Sequence, residues 1–222
     1  MTLSLIENGG TDYKIVYDGG NGGDAFAVSE FVAFFEESTG IRPTTETFSG
    51  VPAEPGEKRI VIGRAPAAAQ GLTADNLRSE SGYKITVTEN AVFVYGKTDY
   101  GSIFGVYDLL GQLFGLRFYT WDVYDLDDNT GVQTLTIKAE SRAEELSVGY
   151  LCAAYGEMQP HINEEYGWQY ACRLGYAVRY YVSLDEAHNA LKLVSYEEYA
   201  AAHPEWFYEG TIAITAKEKT EE

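Results

Sequence analysis

Basic residues are scarce in this sequence: 16 lysines and arginines stand against 34 aspartates and glutamates among 222 residues. The resulting formal net charge of −18 repels the phosphate backbone of nucleic acids and the anionic surface of membranes. The composition therefore argues against a nucleic-acid partner. It predicts instead a strongly hydrated, acidic surface.

Long apolar runs are also missing, and no stretch is long enough to span a bilayer. The first ten residues lack the basic start and the apolar block of a secretory signal. Two alternatives remain open from this pattern: a cytoplasmic protein, or an exported protein whose signal has been removed. We expect the second, with an extracellular or periplasmic location.

Cysteine is nearly absent, and Cys152 and Cys172 are too few for a disulfide framework or a zinc pattern. Two buried thiols are the expectation, and a single bridge between them stays open for an exported protein. No Gly-x-Ser-x-Gly or His-Glu-x-x-His motif is present. The glycines of residues 18–23 lack the spacing of a nucleotide-binding loop and predict a flexible turn. The acidic residues 122–128 lack the EF-hand pattern, so we expect neither metal nor cofactor.

Apolar residues make up 45% of the chain, which is enough for a hydrophobic core. Alternating or continuous apolar runs predict strands at residues 13–17, 44–48, 59–62, 83–88, 91–95, 116–119 and 132–138. Helical spacing predicts a first helix that Asp24 caps and Gly40 ends. A second helix begins at residue 98 or 99 and ends at Gly115, with an apolar face formed by Ile103, Val106, Tyr107, Leu110 and Leu113. Its internal glycines, Gly101, Gly105 and Gly111, indicate close packing against the sheet.

This order of elements predicts an α+β fold for residues 1–140, in which two helices cover one face of an antiparallel-dominated sheet. Beyond residue 140 the pattern changes. Strands at 146–153 and 177–182 alternate with helices at 164–174 and 196–202, as at the beginning of a (β/α) barrel. Residues 141–222 contain too few such units to close a barrel, so we interpret them as an incomplete barrel segment.

A family resemblance is carried by residues 96–110, Gly-Lys-Thr-Asp-Tyr-Gly-Ser-Ile-Phe-Gly-Val-Tyr-Asp-Leu-Leu, and by Gly-Leu-Arg-Phe-Tyr at 115–119. They resemble the second helix and exit strand of the accessory domain that precedes the barrel in family 67 α-glucuronidases and family 20 β-hexosaminidases. Residues 13–16, 31–42 and 60–63 are similar to the first strand, first helix and central strand of that domain. Residues 166–175 resemble the first barrel helix. Residues 196–207 resemble an early barrel segment of bacterial relatives of the glucuronidases.

The resemblance implies a non-catalytic accessory domain of a glycoside hydrolase, whose catalytic carboxylates lie on later barrel strands absent from this chain. Its partners would be the remainder of the barrel and a carbohydrate. An alternative is a stand-alone carbohydrate-binding or surface-interaction module. A small complete enzyme ranks last, because the sequence gives no reason to pair any two of its acids for glycoside cleavage.

Four residues are candidates for substrate contact. Barrel enzymes bind substrate at the carboxyl ends of their strands, and the loops after the two predicted barrel strands carry Tyr155, His161, His188 and Asn189. The resemblance implies that a histidine after the second strand, here His188, contacts the sugar. We expect His203, just before Pro204, to lie at a helix terminus.

Overall fold

The computed structural model describes residues 2–52, 54, 56–145, 171–175 and 196–206. The chain folds as two compact units, Met1–Arg179 and Tyr180–Glu222. The described part of the second unit contains a short helix, Tyr196–Tyr199, and a 3₁₀ turn, Pro204–Trp206. The helix ends at Tyr199, earlier than the predicted residue 202. His203 directly precedes the 3₁₀ turn, as expected for a helix terminus, and its backbone N–H donates to the carbonyl of Tyr199.

Three helices and ten strands form the described part of the first unit up to Glu144. The helices are α1 Gly22–Thr39, α2 Arg64–Ala68 and α3 Asp99–Phe114. The strands are β1 Thr2–Glu7, β2 Lys14–Tyr17, β3 Thr44–Thr47, β4 Arg59–Ile62, β5 Tyr83–Val87, β6 Ala91–Gly96, β7 Arg117–Phe118, β8 Tyr124–Asp125, β9 Thr134–Lys138 and β10 Ser141–Glu144. Six of them form a central sheet in the order β10-β5-β6-β4-β2-β3.

The central sheet is mixed, and the prediction of an antiparallel-dominated sheet is wrong. The pairs β2–β3, β2–β4 and β4–β6 are parallel, whereas β5–β6 and β10–β5 are antiparallel. The predicted hairpin at 83–95 is present, but it does not represent the rest of the sheet. Parallel neighbours need a crossover connection, and α1 provides one between β2 and β3.

The two long helices lie on a common face of this sheet, as the sequence predicts. Strand side chains alternate between faces, so Ile60 and Ile62 join the core beneath α1 and α3 while Val61 joins a smaller cluster under α2. Ile103, Val106 and Leu110 are fully buried, as predicted for the inner face of α3. The same face also carries Tyr107 and Leu113, which are only partly buried.

The ends of α1 show why the helix begins and stops where it does. Asn21, not Asp24, is the N-cap: its side-chain oxygen accepts from the N–H groups of Gly23 and Asp24. The helix therefore begins earlier than predicted, and Asp24 lies in its first turn. At the other end Gly40 adopts a φ of +74° and donates to the carbonyl of Glu36.

Two glycines of α3 allow the helix to approach the sheet closely. A Cβ at position 101 would overlap the backbone of Gly82 and Gly96, and one at position 105 would press on Val94 and Tyr83. The packing role predicted for these two positions is confirmed. Gly111 instead lies against the carbonyl oxygen of Leu116, outside the sheet.

The sequence did not predict how the first and last strands, β1 and β10, pair with the rest of the fold. β1 was not predicted, and it pairs antiparallel with β9 in a separate two-stranded sheet. β10 pairs with β5 and extends the central sheet to Glu144. The division of the chain near residue 140 stays a prediction. So does the incomplete barrel, since its predicted strands lie outside the described residues. Of its predicted first helix, 164–174, only residues 171–174 are described, and 171–173 are helical.

Candidate docking site on the helical layer

A buried carboxylate in the middle of α1 binds an arginine from far along the chain. The Arg173 Nε atom lies 2.7 Å from one oxygen of Glu30, and its Nη2 atom lies 2.8 Å from the other. Their side chains are only 13% and 8% exposed. This bidentate pair attaches residues 171–175 to the helical layer.

Aromatic rings flank the same guanidinium group. Its central carbon lies 5.4 Å from the ring centroids of both Phe34 and Phe118, within the range of cation–π attraction. The remaining nitrogen, Nη1, donates to the carbonyl oxygen of Trp121 at 2.9 Å. Arg173 therefore contacts α1, the β7–β8 hairpin and the loop at its tip simultaneously.

Tyr107 brings α3 into the same arrangement. Its hydroxyl donates to Glu30 at 2.8 Å. Burial, and then the negative charge of Glu30, raise the pKa of Tyr107 well above its usual value. The phenol therefore remains a neutral donor, and one carboxylate receives hydrogen bonds from α3 and from residues 171–175.

The β7–β8 hairpin is fixed to α1 by an aromatic cluster. Phe34 packs edge to face against Phe118 and Tyr124, with centroid distances of 5.6 and 5.1 Å. The Tyr124 hydroxyl also donates to the carboxylate of Glu37 at 3.0 Å. Contacts that do not involve Arg173 therefore hold together the surface against which its guanidinium group lies.

Cys172 lies beside this arginine and belongs to the main core, with 0% exposure. Burial raises the pKa of its thiol above the usual value, and the charges of Asp99 and Glu30 act in the same direction. The expectation of a buried thiol is met for Cys172. Cys152 lies outside the described residues, so the bridge between the two cysteines stays an open alternative.

A cleft of about 350 Å³ adjoins the docking site, which we define as the Glu30–Arg173 pair with Tyr107, Phe34 and Phe118 around it. Several of its polar groups already have partners: the Tyr83 hydroxyl donates to Asp108, and the Glu145 carboxylate accepts from the N–H groups of Arg78 and Ser79. Arg173 and Tyr107, which also line it, are bound to Glu30. The cleft is lined by Ser81, Tyr83, Phe104, Tyr107, Glu144, Glu145, Cys172, Arg173 and Gly175. It offers largely apolar walls and few uncommitted polar groups.

The four residues predicted to contact substrate, Tyr155, His161, His188 and Asn189, lie outside the described residues, and that assignment stays a prediction. Sequence reasoning missed the role of Glu30. A signal was available, since a glutamate between Ala27 and Phe34, at i−3 and i+4, falls on an apolar side of the helix. Arg173 was visible on the predicted helix 164–174, but nothing in the sequence linked it to α1.

The described residues contain no group of three or more His, Cys, Asp or Glu side chains that could hold a metal ion. None of the helices in that part of the chain is both long and apolar enough to cross a membrane.

No protein-family model and no curated protein matches this sequence. Among solved structures, the chain is similar to part of a family 115 4-O-methyl-α-glucuronidase with specificity for decorated arabinogalactans, with a TM-score of 0.49 and 12% identity over 78% of this chain and 25% of that one. It is also similar to part of an inactive mutant of the family 20 exo-β-N-acetylglucosaminidase from Vibrio harveyi, with a TM-score of 0.37 and 14% identity over 64% and 16% of the two chains.

A third similar structure is the family 20 chitobiase of Flavobacterium johnsoniae, with a TM-score of 0.36 and 16% identity over 64% of this chain and 18% of that one. The chain thus spans a quarter or less of the length of each of these glycoside hydrolases. Likenesses of this strength assign neither a family nor an activity to the chain.

Proposed function

We propose that this chain carries a non-catalytic accessory domain of a glycoside hydrolase, which supports a (β/α) barrel that follows it. One observation carries the proposal. Residues 171–175, which the sequence assigns to the first barrel helix, are bound to α1 and α3 through the buried pair of Glu30 and Arg173. The accessory domain would hold that helix, and with it the beginning of the barrel, in a defined orientation.

The chemistry of the pair favours a positioning role over a purely stabilising one. A buried ion pair adds little net stability compared with apolar side chains of the same volume, but loss of one partner is costly. The planar guanidinium group can donate two parallel hydrogen bonds only to a carboxylate that lies within a narrow range of orientations. Such a contact therefore specifies how two segments meet.

The same geometry argues against glycoside cleavage at the docking site. Hydrolysis of a glycosidic bond generally uses two carboxyl groups that face each other across the bond. Here the Glu30 side chain is 8% exposed and its two oxygens are already bound by Arg173 and Tyr107. In this proposal the catalytic carboxylates belong to later barrel strands.

Replacement of Arg173 tests the positioning role. In Arg173→Met, amide exchange of residues 171–175 should accelerate about 100-fold or more, because removal of one partner of a buried pair costs about 3–5 kcal/mol. Arg64→Met is the matched control, since the Arg64–Asp75 pair is largely exposed. Unchanged amide exchange at residues 171–175 in the Arg173 variant would rule out a positioning role for the Glu30–Arg173 pair.

Catalysis by the chain itself tests the other half of the proposal. The purified protein should release no product from a panel of aryl glycosides that covers both anomers of the common hexosides, N-acetylhexosaminides and glucuronides. Turnover that persists through chromatography and disappears after substitution of a carboxylate in this chain would show that the chain is an enzyme by itself.

A carbohydrate-binding module is the second candidate, and two exposed aromatic residues favour it. Tyr119 and Trp206 are each 55% exposed, and the Trp206 ring stacks on His203 at 3.9 Å. Saturable binding of a glycan at millimolar concentration or below, lost in Tyr119→Ala or Trp206→Ala, would support the module. A silent glycan array would support the scaffold.

Either role is consistent with export, and an extracellular or periplasmic location is part of this proposal. Fractionation of the source cells with an antibody against the chain tests it. Recovery with the cytoplasmic markers would contradict it.

A further inference from the structure

The carboxyl ends of the parallel strands β2, β4 and β6 meet at one edge of the central sheet, and α1 and α3 begin there. Asp24, in the first turn of α1, is buried at this edge with 2% exposure. Gly63, which follows β4, has a φ of +112°, and a Cβ at this position would overlap the Asp24 carboxylate. The chain is therefore shaped around this carboxyl group.

No cation compensates Asp24 within the described part of the protein. Ser102 of α3 is its side-chain hydrogen-bond partner, and the Ser102 oxygen also accepts from the Gly96 N–H at 3.2 Å. The Oδ1 atom of Asp24 has no hydrogen-bond partner among the residues that the structure describes.

Among the residues that the structure describes, the charged groups that act on Asp24 are two aspartates. Asp18 faces it from the loop before α1, and Asp99 faces it from the first turn of α3. The end of β6 and the loop after β4 contribute the uncharged Gly96 and Gly63. Arg64, next along the chain, is directed instead to Asp75 and to the carbonyl oxygen of Lys97.

We propose that Asp24 is a proton-binding latch between α1 and α3: it is held as the neutral acid when the first turns of the two helices pack together, and release of its proton weakens that packing. A buried carboxyl group without a cation avoids the cost of desolvating a charge by keeping its proton. The Ser102 hydroxyl can accept as well as donate, so its hydrogen bond to Asp24 persists in the neutral state.

Burial raises the pKa of Asp24 from 3.8 to about 7, and Asp99 and Asp18 add to the rise while the Ser102 hydrogen bond opposes it. Between these two values the folded protein retains a proton that the unfolded chain has released. The contribution of Asp24 to stability is therefore complete below about pH 4, falls as the pH rises to about 7, and is level above that.

Denaturant unfolding of the wild type and of Asp24→Asn at several pH values tests the latch. The ratio of their unfolding equilibrium constants, wild type over variant, should rise about tenfold per pH unit between pH 5 and 7 and then level off, as expected for a single linked proton. Glu89→Gln removes the same charge at an exposed turn, and its ratio to the wild type should show no such rise. A ratio for Asp24→Asn that stays constant from pH 5 to 8 would overturn the proposal.

A second measurement uses only the wild-type protein, so it does not depend on whether the asparagine variant folds. NMR titration of the Asp24 side-chain carboxyl carbon in the wild-type protein should show a midpoint near the pKa of about 7. A midpoint near 4, the ordinary value for an aspartate, would overturn the proposal whatever the stability of the asparagine variant.

Discussion

The first turn and the middle of α1 each bury a carboxyl group, and the two regions accommodate it differently. Glu30 is bound by a guanidinium group that comes from 143 residues later in the chain. Asp24, six residues before it, has acidic neighbours and glycines around it and no compensating cation among the described residues. The first solution depends on docking of a distant segment, whereas the second depends on local shape and on pH.

The largest expected effect on stability comes from breaking the buried ion pair between Glu30 and Arg173. Arg173→Met should lower the free energy of unfolding by about 3–5 kcal/mol, because Glu30 would be left buried without its cation. The double variant Glu30→Leu with Arg173→Met should recover most of this loss, since apolar residues of similar size replace buried ion pairs at little cost. Denaturant unfolding of all four members of this cycle measures the coupling. A loss below about 1 kcal/mol in the single variant would mean that water reaches the pair.

Filling the space around Asp24 should have the next largest effect. Gly63→Ala adds backbone strain at a positive φ and an overlap with the carboxylate, each worth about 1–2 kcal/mol, so a loss of about 2–4 kcal/mol is expected. Gly71→Ala is the matched control, because Gly71 also has a positive φ, +75°, but no atom within 4 Å of an added Cβ. Equal losses of unfolding free energy in the two variants would show that the contact with Asp24 is unimportant.

Removal of the hydroxyl that holds Asp24 sharpens the comparison further. Ser102→Ala should cost about 1–3 kcal/mol, since it leaves the buried N–H of Gly96 without its hydrogen bond. It should also move the pKa of Asp24 upward, because the Ser102 hydrogen bond lowers that pKa. The pH window of stability loss should then extend to higher pH in denaturant melts. Ser29→Ala, at an exposed position of α1, should change neither quantity.

The smallest effect on the free energy of unfolding is expected at a solvent-exposed ion pair. Arg64 and Asp75 lie 2.7 Å apart with about 60% of each side chain exposed. Arg64→Gln should change the free energy of unfolding by less than about 1 kcal/mol, because water and salt screen the pair. A loss as large as that of Arg173→Met would show that geometry matters more than burial in this protein.

Much of the fold could be predicted from local patterns. The strand predicted at Arg59–Ile62 is β4 with the same bounds, and the bounds of α3 were predicted within one residue. Both predictions rest on apolar periodicity and a C-terminal glycine, which are properties of neighbouring residues. Strand β1 was missed although Leu3 and Leu5 alternate with polar residues. Its partner, β9, lies more than 120 residues away, and a strand without a visible neighbour is a weak signal.

The candidate sites were harder to predict. The pattern of residues 18–24 predicted a glycine turn followed by a helix cap at Asp24. Only the packed helix shows Asp24 to be a buried acid. Glu30 and Arg173 were ordinary members of two amphipathic patterns. Their pairing depends on an approach between segments that no local property encodes.

By itself, the sequence determined the bounds of α3, the approximate bounds of most strands, the acidic charge, and the packing of two helices on one face of a sheet. Hydrogen bonding, capping and periodicity act over a few residues, so they can be read along the chain. The tertiary structure decided the parallel direction of β2, β3, β4 and β6, the cation bound by Glu30 and the burial of Asp24. These features depend on which distant surfaces meet, and that follows from the free energy of the whole packed unit.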